Sequence, residues 1–152
     1  MKFLVLFLIV FLITHSAVAQ DVVAQTSPKY SEEAEEEIEI FIPKNLNECY
    51  EELEKVLDKE ELNEFKATKE EDLVKYHFSI GRWIRNTWHL WGDAELKKYF
   101  NNMEIHHPDD MSGIIITSFH RYLNGKEIKL NEQIKYYKDY WDQMKKEKEK
   151  PQ

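Results

Sequence analysis

Two histidines and two aspartates flank a proline in the run from His106 to Asp110. Imidazole nitrogens and carboxylate oxygens are the usual ligands of zinc and related ions, and they also serve as general acids and bases. Helical metal ligands lie three or four residues apart, and with His106 placed in the loop before the predicted helix, His107 and Asp110 are the pair with that spacing. His120 lies thirteen residues after His107, which turns it to the far side of a helix. Helix capping by His107, Asp109 and Asp110 is therefore favoured over a metal site.

Arg85 and Asn86 suggest a second kind of chemistry, because they lie beside Trp88 in a tryptophan-rich run. A guanidinium group pairs with anions and stacks on aromatic rings, so these residues could form a pocket for a carboxylate, a sugar or a peptide. The alternative is that Arg85 bonds to Asp109 or Asp110 and ties two helices together, and we favour this structural role.

Three tryptophans, Trp83, Trp88 and Trp91, fall within nine residues. They could form an aromatic platform for a ligand such as a carbohydrate. A domain of about 100 residues must also bury large side chains to offset chain entropy, so core packing is the favoured interpretation. Trp91 precedes a glycine that breaks the helix, and we expect it to be the most exposed of the three.

Hydrophobic spacing predicts the elements that must position these groups. Apolar residues recur at intervals of three and four, which predicts an all-α fold: a single compact domain of five or six helices over residues 42–144. The predicted helices cover residues 47–58, 59–66, a third span between Thr68 and Gly92, and then 94–103, 108–124 and 131–144. The third has a wide apolar stripe and is predicted to be the central helix, with a capping box at Thr68–Glu71. Gly81 inside it indicates close approach by a neighbouring helix or ring.

The ends of the chain differ from this domain in composition. Residues 1–19 contain an unbroken apolar run that ends in Ala17-Val18-Ala19, which predicts a signal peptide and an exported product, periplasmic or secreted. Residues 20–41 form an acidic segment that we expect to be flexible, and residues 145–152 form a charged tail. Removing Lys2 with the leader leaves 20 of 21 basic residues against 29 acidic ones, a net charge of −9. This balance argues against nucleic acid as a partner, and no stable membrane insertion is expected after signal cleavage.

Counts of small residues exclude further classes of site. Four glycines and no glycine-rich phosphate loop argue against a nucleotide cradle, so no cofactor is predicted. A single cysteine, Cys49, rules out an internal disulfide, and its place on an apolar helix face favours burial. Ser112 and Gly113, near the start of the fifth predicted helix, are a further candidate anion site.

Several motifs together suggest a family. The spans 75–91, 99–100, 107–115 and 120–125, with W-I-R-N-x-W-x-L-W and H-P-D-D-M-S-x-I-I at their centre, resemble a bacterial domain family of unknown function. The resemblance covers roughly residues 42–141 and implies a compact helical domain with no assigned reaction. The family's signature matches this sequence at Trp83, Arg85, Asn86, Trp88, Trp91, His107, Pro108, Asp109, Asp110, Ser112, His120 and Arg121.

The leading hypothesis is an exported, non-enzymatic binding or interaction module that takes another protein or a small polar ligand. Its site would be a groove between the third and fifth helices. The candidate binding residues are Arg85, Asn86, Trp88, Trp91, His107, Asp109, Asp110, Ser112, His120 and Arg121. The alternative is a hydrolase, with or without the help of a metal ion, in which Asp109 or Asp110 acts as base or ligand and His107 or His120 as acid or ligand. An immunity-type or inhibitor protein is a third hypothesis.

Overall fold

A computed structural model describes residues 41–150, and every regular element in that range is helical. The predicted leader at 1–19 and all but the last residue of the acidic segment at 20–41 lie outside the described residues. Six α-helices and one 3-10 helix follow one another: α1 Leu46–Val56, α2 Lys59–Ala67, the 3-10 helix Glu70–Tyr76, α3 Ile80–Thr87, α4 Glu95–Asn101, α5 Pro108–Leu123 and α6 Leu130–Lys148. The all-α prediction is confirmed for this range, with one helix more than the larger expected number.

Helix α5 is the centre of the fold, because α1, α2, α3, α4, α6 and the 3-10 helix all pack against it. Its residues Met111, Ile114, Ile115 and Phe119 are fully buried, as expected for a helix that is surrounded by other helices. The expectation that the third predicted helix would be central is wrong. The residues of that predicted helix form two shorter elements, the 3-10 helix and α3, and α3 has only eight residues.

The third predicted helix does not begin where expected, because its predicted N-cap residue makes other bonds. Thr68 ends α2 instead of starting a helix: its Oγ1 donates a hydrogen bond to the carbonyl of Glu64. The capping box at Thr68–Glu71 is therefore absent. A capping box does occur at the start of α2, where the Asp58 carboxylate accepts bonds from the backbone N–H of Glu60 and Glu61.

The core confirms several predictions about single residues. Cys49 is fully buried in the apolar core, and burial raises the pKa of its thiol. Trp88 is also fully buried, and Trp83 packs edge-on against it with the ring centroids 5.5 Å apart. Trp91 is 58% exposed, as expected for the residue before the helix break. Among residues 41–150, no helix combines the length and apolar character that a membrane span requires.

Helix α6 crosses α5 at Gly113, and this crossing positions the candidate site. A Cβ atom at Gly113 would lie 2.2 Å from the Tyr137 hydroxyl, so only glycine allows the tyrosine to approach this closely. Four residues after Tyr137, one helical turn, Trp141 lies over the N-terminal end of α5. The helix continues to Lys148, past the expected boundary at residue 144.

Candidate functional site

The first turn of α5 is capped as the sequence predicts. His107 is the N-cap residue, and its Nδ1 accepts a hydrogen bond of 3.3 Å from the backbone N–H of Asp109. Pro108 follows at the first helical position, where its missing N–H is not needed. Asp109 and Asp110 complete the turn, and their negative charge complements the helix dipole. The capping interpretation of this run is therefore confirmed.

Arg85 links α3 to this turn and is almost fully buried. Its Nε lies 3.1 Å from Asp109 Oδ1, and its Nη1 donates a 2.8 Å hydrogen bond to Ser112 Oγ. Its Nη2 donates to the carbonyl of His77 at 3.3 Å. A Cβ at Gly81 would lie 3.0 Å from Arg85 Nη1, so this glycine leaves room for the guanidinium group. The predicted helix-tying role of Arg85 is confirmed, with Asp109 as the partner.

Asp109 lies between two imidazoles as well as beside this guanidinium group. Its Oδ1 is 3.5 Å from His77 Nε2, and its Oδ2 is 3.4 Å from His107 Nδ1. About a third of the aspartate side chain is exposed. The result is a compact polar cluster of Arg85, Asp109, His77 and His107 on the α3 side of the α5 N-terminus.

Asp110 points to the other side, toward α6, and is only 8% exposed. Its Oδ2 accepts a 2.7 Å hydrogen bond from Trp141 Nε1, the one side-chain donor that residues 41–150 offer this carboxylate. Burial raises the pKa of Asp110, and the bond from Trp141 opposes that rise only in part. A carboxylate has about four lone-pair sites, so most of the acceptor capacity of Asp110 is unused.

The α5–α6 cleft lies between α6, the N-terminal end of α5 and the loop before it, and has a volume of about 520 Å³. Aromatic rings form much of its wall: the centroids of His107 and Trp141 are 5.5 Å apart, and Trp141 is 37% exposed. The ring of Trp91 also packs edge-on to His107, with the ring centroids 6.5 Å apart. The residues lining the cleft are Glu104, Ile105, His106, His107, Asp110, Tyr137, Lys138, Trp141, Asp142 and Lys145.

The expected groove between the third and fifth helices is not where this cleft lies. The buried Arg85 fills the contact between α3 and α5, and the cleft forms on the α6 side instead. Sequence reasoning missed Tyr137 and Trp141 as site residues. The two residues lie four apart on the last helix, a spacing that is also typical of core packing and so does not by itself indicate a site.

The remaining candidates lie apart from the cleft. Asn86 is exposed on α3, and Trp88 is buried in the core. His120 and Arg121 lie near the C-terminal end of α5. The thirteen-residue separation of His107 and His120 corresponds to about 20 Å of helix. The side chains of His107 and His120 therefore do not converge.

His120 and Arg121 instead join α5 to elements on the opposite side of the molecule. His120 is buried, and its Nε2 donates a 2.8 Å hydrogen bond to the carbonyl of Thr68. Arg121 pairs with Glu70 and donates a 2.7 Å bond to the carbonyl of Ile128. The Arg121 guanidinium lowers the pKa of Glu70. His120 thus holds the end of α2 against α5, and Arg121 holds the 3-10 helix and the loop before α6.

A metal centre is not assembled from the described part of the chain: no three His, Cys, Asp or Glu side chains there are grouped so as to hold an ion. His107 and Asp110 have suitable spacing in sequence, but their side chains make different contacts. What the N-terminal end of α5 does provide is a cleft with a carboxylate acceptor, Asp110, and an aromatic wall that includes Trp141.

Comparison with protein-family models matches residues 42–123 to DUF6794, a domain of unknown function. The matched residues run from just before α1 to the end of α5, so α6 follows the matched region. Searches of curated proteins and of solved structures give no match.

Proposed function

The chain belongs to the DUF6794 family, a family of domains of unknown function, and we propose that it is a non-enzymatic binding module whose ligand site is the α5–α6 cleft. The observation that carries the proposal is the pairing of the buried Asp110 carboxylate with the exposed Trp141 ring in one cleft. Pockets for small ligands commonly combine aromatic walls with a few polar groups that fix orientation. The proposed ligand is a small polar molecule.

The polar side chains at the N-terminal end of α5 are better suited to ligand binding than to catalysis, because most of them already have structural partners. Arg85, Asp109 and Ser112 bond to one another, and His107 caps α5. A catalytic group must be free to exchange a proton with a substrate at hydrogen-bond distance. Among the carboxylates that line the cleft, Asp110 combines burial with unused acceptor capacity.

A thermal-shift screen with a library of small polar compounds tests this proposal. Compounds that occupy the cleft raise Tm, because ligands that bind only the folded state stabilise it. Trp141→Ala is expected to abolish these shifts, whereas Tyr136→Ala, on the same helix but outside the cleft, retains them. Hits whose shifts survive in Trp141→Ala, or a library without hits, would contradict the proposal.

A hydrolase is the second candidate, and one observation favours it: Asp109 Oδ1 lies 3.5 Å from Nε2 of the His77 imidazole. Such a carboxylate can orient an imidazole that acts as a general base. Release of p-nitrophenol from p-nitrophenyl acetate, faster than background and lost in His77→Ala, would support this candidate. Equal rates for the protein and this variant would remove it.

Export of the protein is part of the same proposal, and it rests on the leader pattern in residues 1–19. N-terminal sequencing of the protein from cell fractions tests it. The expected result is a product in the exported fraction that begins at Gln20. An intact Met1 in the cytoplasmic fraction would contradict it.

A further inference from the structure

We propose that the α5–α6 cleft selects organic cations, and that it holds a primary ammonium group on the Asp110 carboxylate against the ring of Trp141. The inference rests on the proposed binding role of this cleft and names the chemical class of its ligand. Three features of the cleft support it: a buried acceptor, an aromatic wall and the balance of charges around it.

The buried acceptor is the Asp110 carboxylate. It takes one side-chain hydrogen bond within the described range, from Trp141 Nε1. A buried charge without sufficient partners is unstable, and burial accordingly raises the pKa of this carboxyl. An ammonium group offers three donors and a compensating charge, whereas a hydroxyl group offers one donor and no charge. A cationic ligand therefore satisfies Asp110 more completely than a neutral ligand does.

The aromatic wall lies directly beside this acceptor. Trp141 donates its indole N–H to Asp110, which holds the indole ring next to the carboxylate. The half-exposed ring of His107 lies 5.5 Å from the Trp141 ring, centroid to centroid, at an angle of 33°. A cation within about 6 Å of a tryptophan ring face is attracted by the negative charge of that face. An ammonium group on Asp110 can thus contact both the carboxylate and a ring.

The charges around the cleft favour a cation over an anion. Lys138 on its rim is already paired with Glu104. Apart from this pair, the lining residues that carry a formal charge are Asp110, Asp142 and Lys145. The whole chain has a net charge of −8, which raises the local concentration of cations near the surface. A carboxylate ligand would be placed against Asp110 and repelled.

Three matched probes test the inference: n-butylammonium, 1-butanol and butyrate, which share a four-carbon chain and differ in the head group. Their binding to protein expressed from the full sequence is measured near neutral pH by broadening of the probes' own NMR signals. Butylammonium is expected to bind at least about tenfold more tightly than butanol, and butyrate more weakly still. Asp110→Asn is expected to remove this preference, whereas Asp139→Asn, an exposed aspartate of α6 outside the cleft, retains it.

The outcomes separate this inference from the proposed function. Butanol binding as tightly as butylammonium, with both lost in Trp141→Ala, would overturn the cation preference and leave the cleft as a binding site. Preferential butylammonium binding that survives in Asp110→Asn would also overturn it, because the cation would then bind elsewhere. Binding of none of the three probes would overturn it as well, while the compound screen decides the binding role independently.

Discussion

Two charged side chains at the N-terminal end of α5 are buried, and their surroundings differ. The Arg85 guanidinium makes three polar contacts, to Asp109, Ser112 and the carbonyl of His77, so its burial is compensated within the fold. Asp110 receives one side-chain hydrogen bond. At the residue scale, Arg85 is thus a structural group, and Asp110 is the group that gains most from a ligand.

Replacing Arg85 with alanine tests its structural role. The change leaves Ser112 and Asp109 without their buried partner, and it should lower the free energy of unfolding by about 3 kcal/mol. Urea unfolding followed by tryptophan fluorescence measures the loss. Arg82→Ala, an exposed arginine of the same helix, is the matched control and should change stability by less than about 0.5 kcal/mol. Equal effects of the two substitutions would contradict the assignment.

The raised pKa of Asp110 predicts a dependence of stability on pH. The folded state binds this proton more tightly than the unfolded state, so the contribution to stability is complete below about pH 4 and is lost as pH rises through the folded-state pKa. The Asp110→Asn variant has no proton to lose at this position. The Tm of the variant minus the Tm of the unsubstituted protein should therefore increase as pH rises from about 3.5 to 7. A flat or opposite trend, or the same trend in Asp139→Asn, would contradict the burial argument.

At the scale of elements, sequence patterns predicted α5 well, because the residues that start and end this helix lie at its own two ends. Pro108 at the first position, two acids in the first turn and Gly125 after the last turn predicted residues 108–124, and α5 spans Pro108–Leu123. The third predicted helix instead breaks at Ser79, whose backbone lies outside the helical region, and the carbonyl of His77 beside the break accepts a hydrogen bond from Arg85 Nη2. Apolar spacing cannot report such a contact.

The crossing of α5 and α6 depends on Gly113, and a glycine-to-alanine substitution tests it. In Gly113→Ala the new Cβ would lie 2.2 Å from the Tyr137 hydroxyl, so the tyrosine ring or the helix that carries it must shift. We expect Gly113→Ala to lower the free energy of unfolding by about 1–3 kcal/mol. Adding Tyr137→Phe, which removes that hydroxyl, should restore part of this loss. Gly92→Ala, where the nearest atom is 3.5 Å from the Cβ position, is the control and should be milder. Failure of Tyr137→Phe to restore any stability would contradict this contact.

At the scale of the whole molecule, the sequence predicted the residues near the cleft more readily than the cleft itself. His107 and Asp110 were identified from types and spacing, but Trp141 lies 31 residues after Asp110. Their meeting depends on the angle at which α6 crosses α5. His120 was grouped with His107 for its residue type, yet about 20 Å of helix separates them. Which side chains converge depends on how the helices pack, and the residue types and spacings of a single sequence do not reveal that packing.

Cys49 reports on the integrity of the whole fold, because its thiol is fully buried and burial raises its pKa. A thiol reagent should react with it only when the domain opens. We expect labelling of the folded protein at least about 100-fold slower than labelling of the urea-unfolded chain. Mass spectrometry measures the rate, and Cys49→Ser gives the background. Rapid stoichiometric labelling under folding conditions would contradict the buried position.

The indole N–H spectrum tests the central claim, that the α5–α6 cleft binds the ligand, most directly. The chain has four tryptophans, and their ¹H–¹⁵N indole signals can be assigned by single Trp→Phe substitutions. Adding a compound that raises Tm should shift the signal of Trp141, whose N–H bonds to Asp110 in the cleft, and leave the signal of the buried Trp88 unchanged. A stabilising compound that leaves the Trp141 signal in place would contradict the claim.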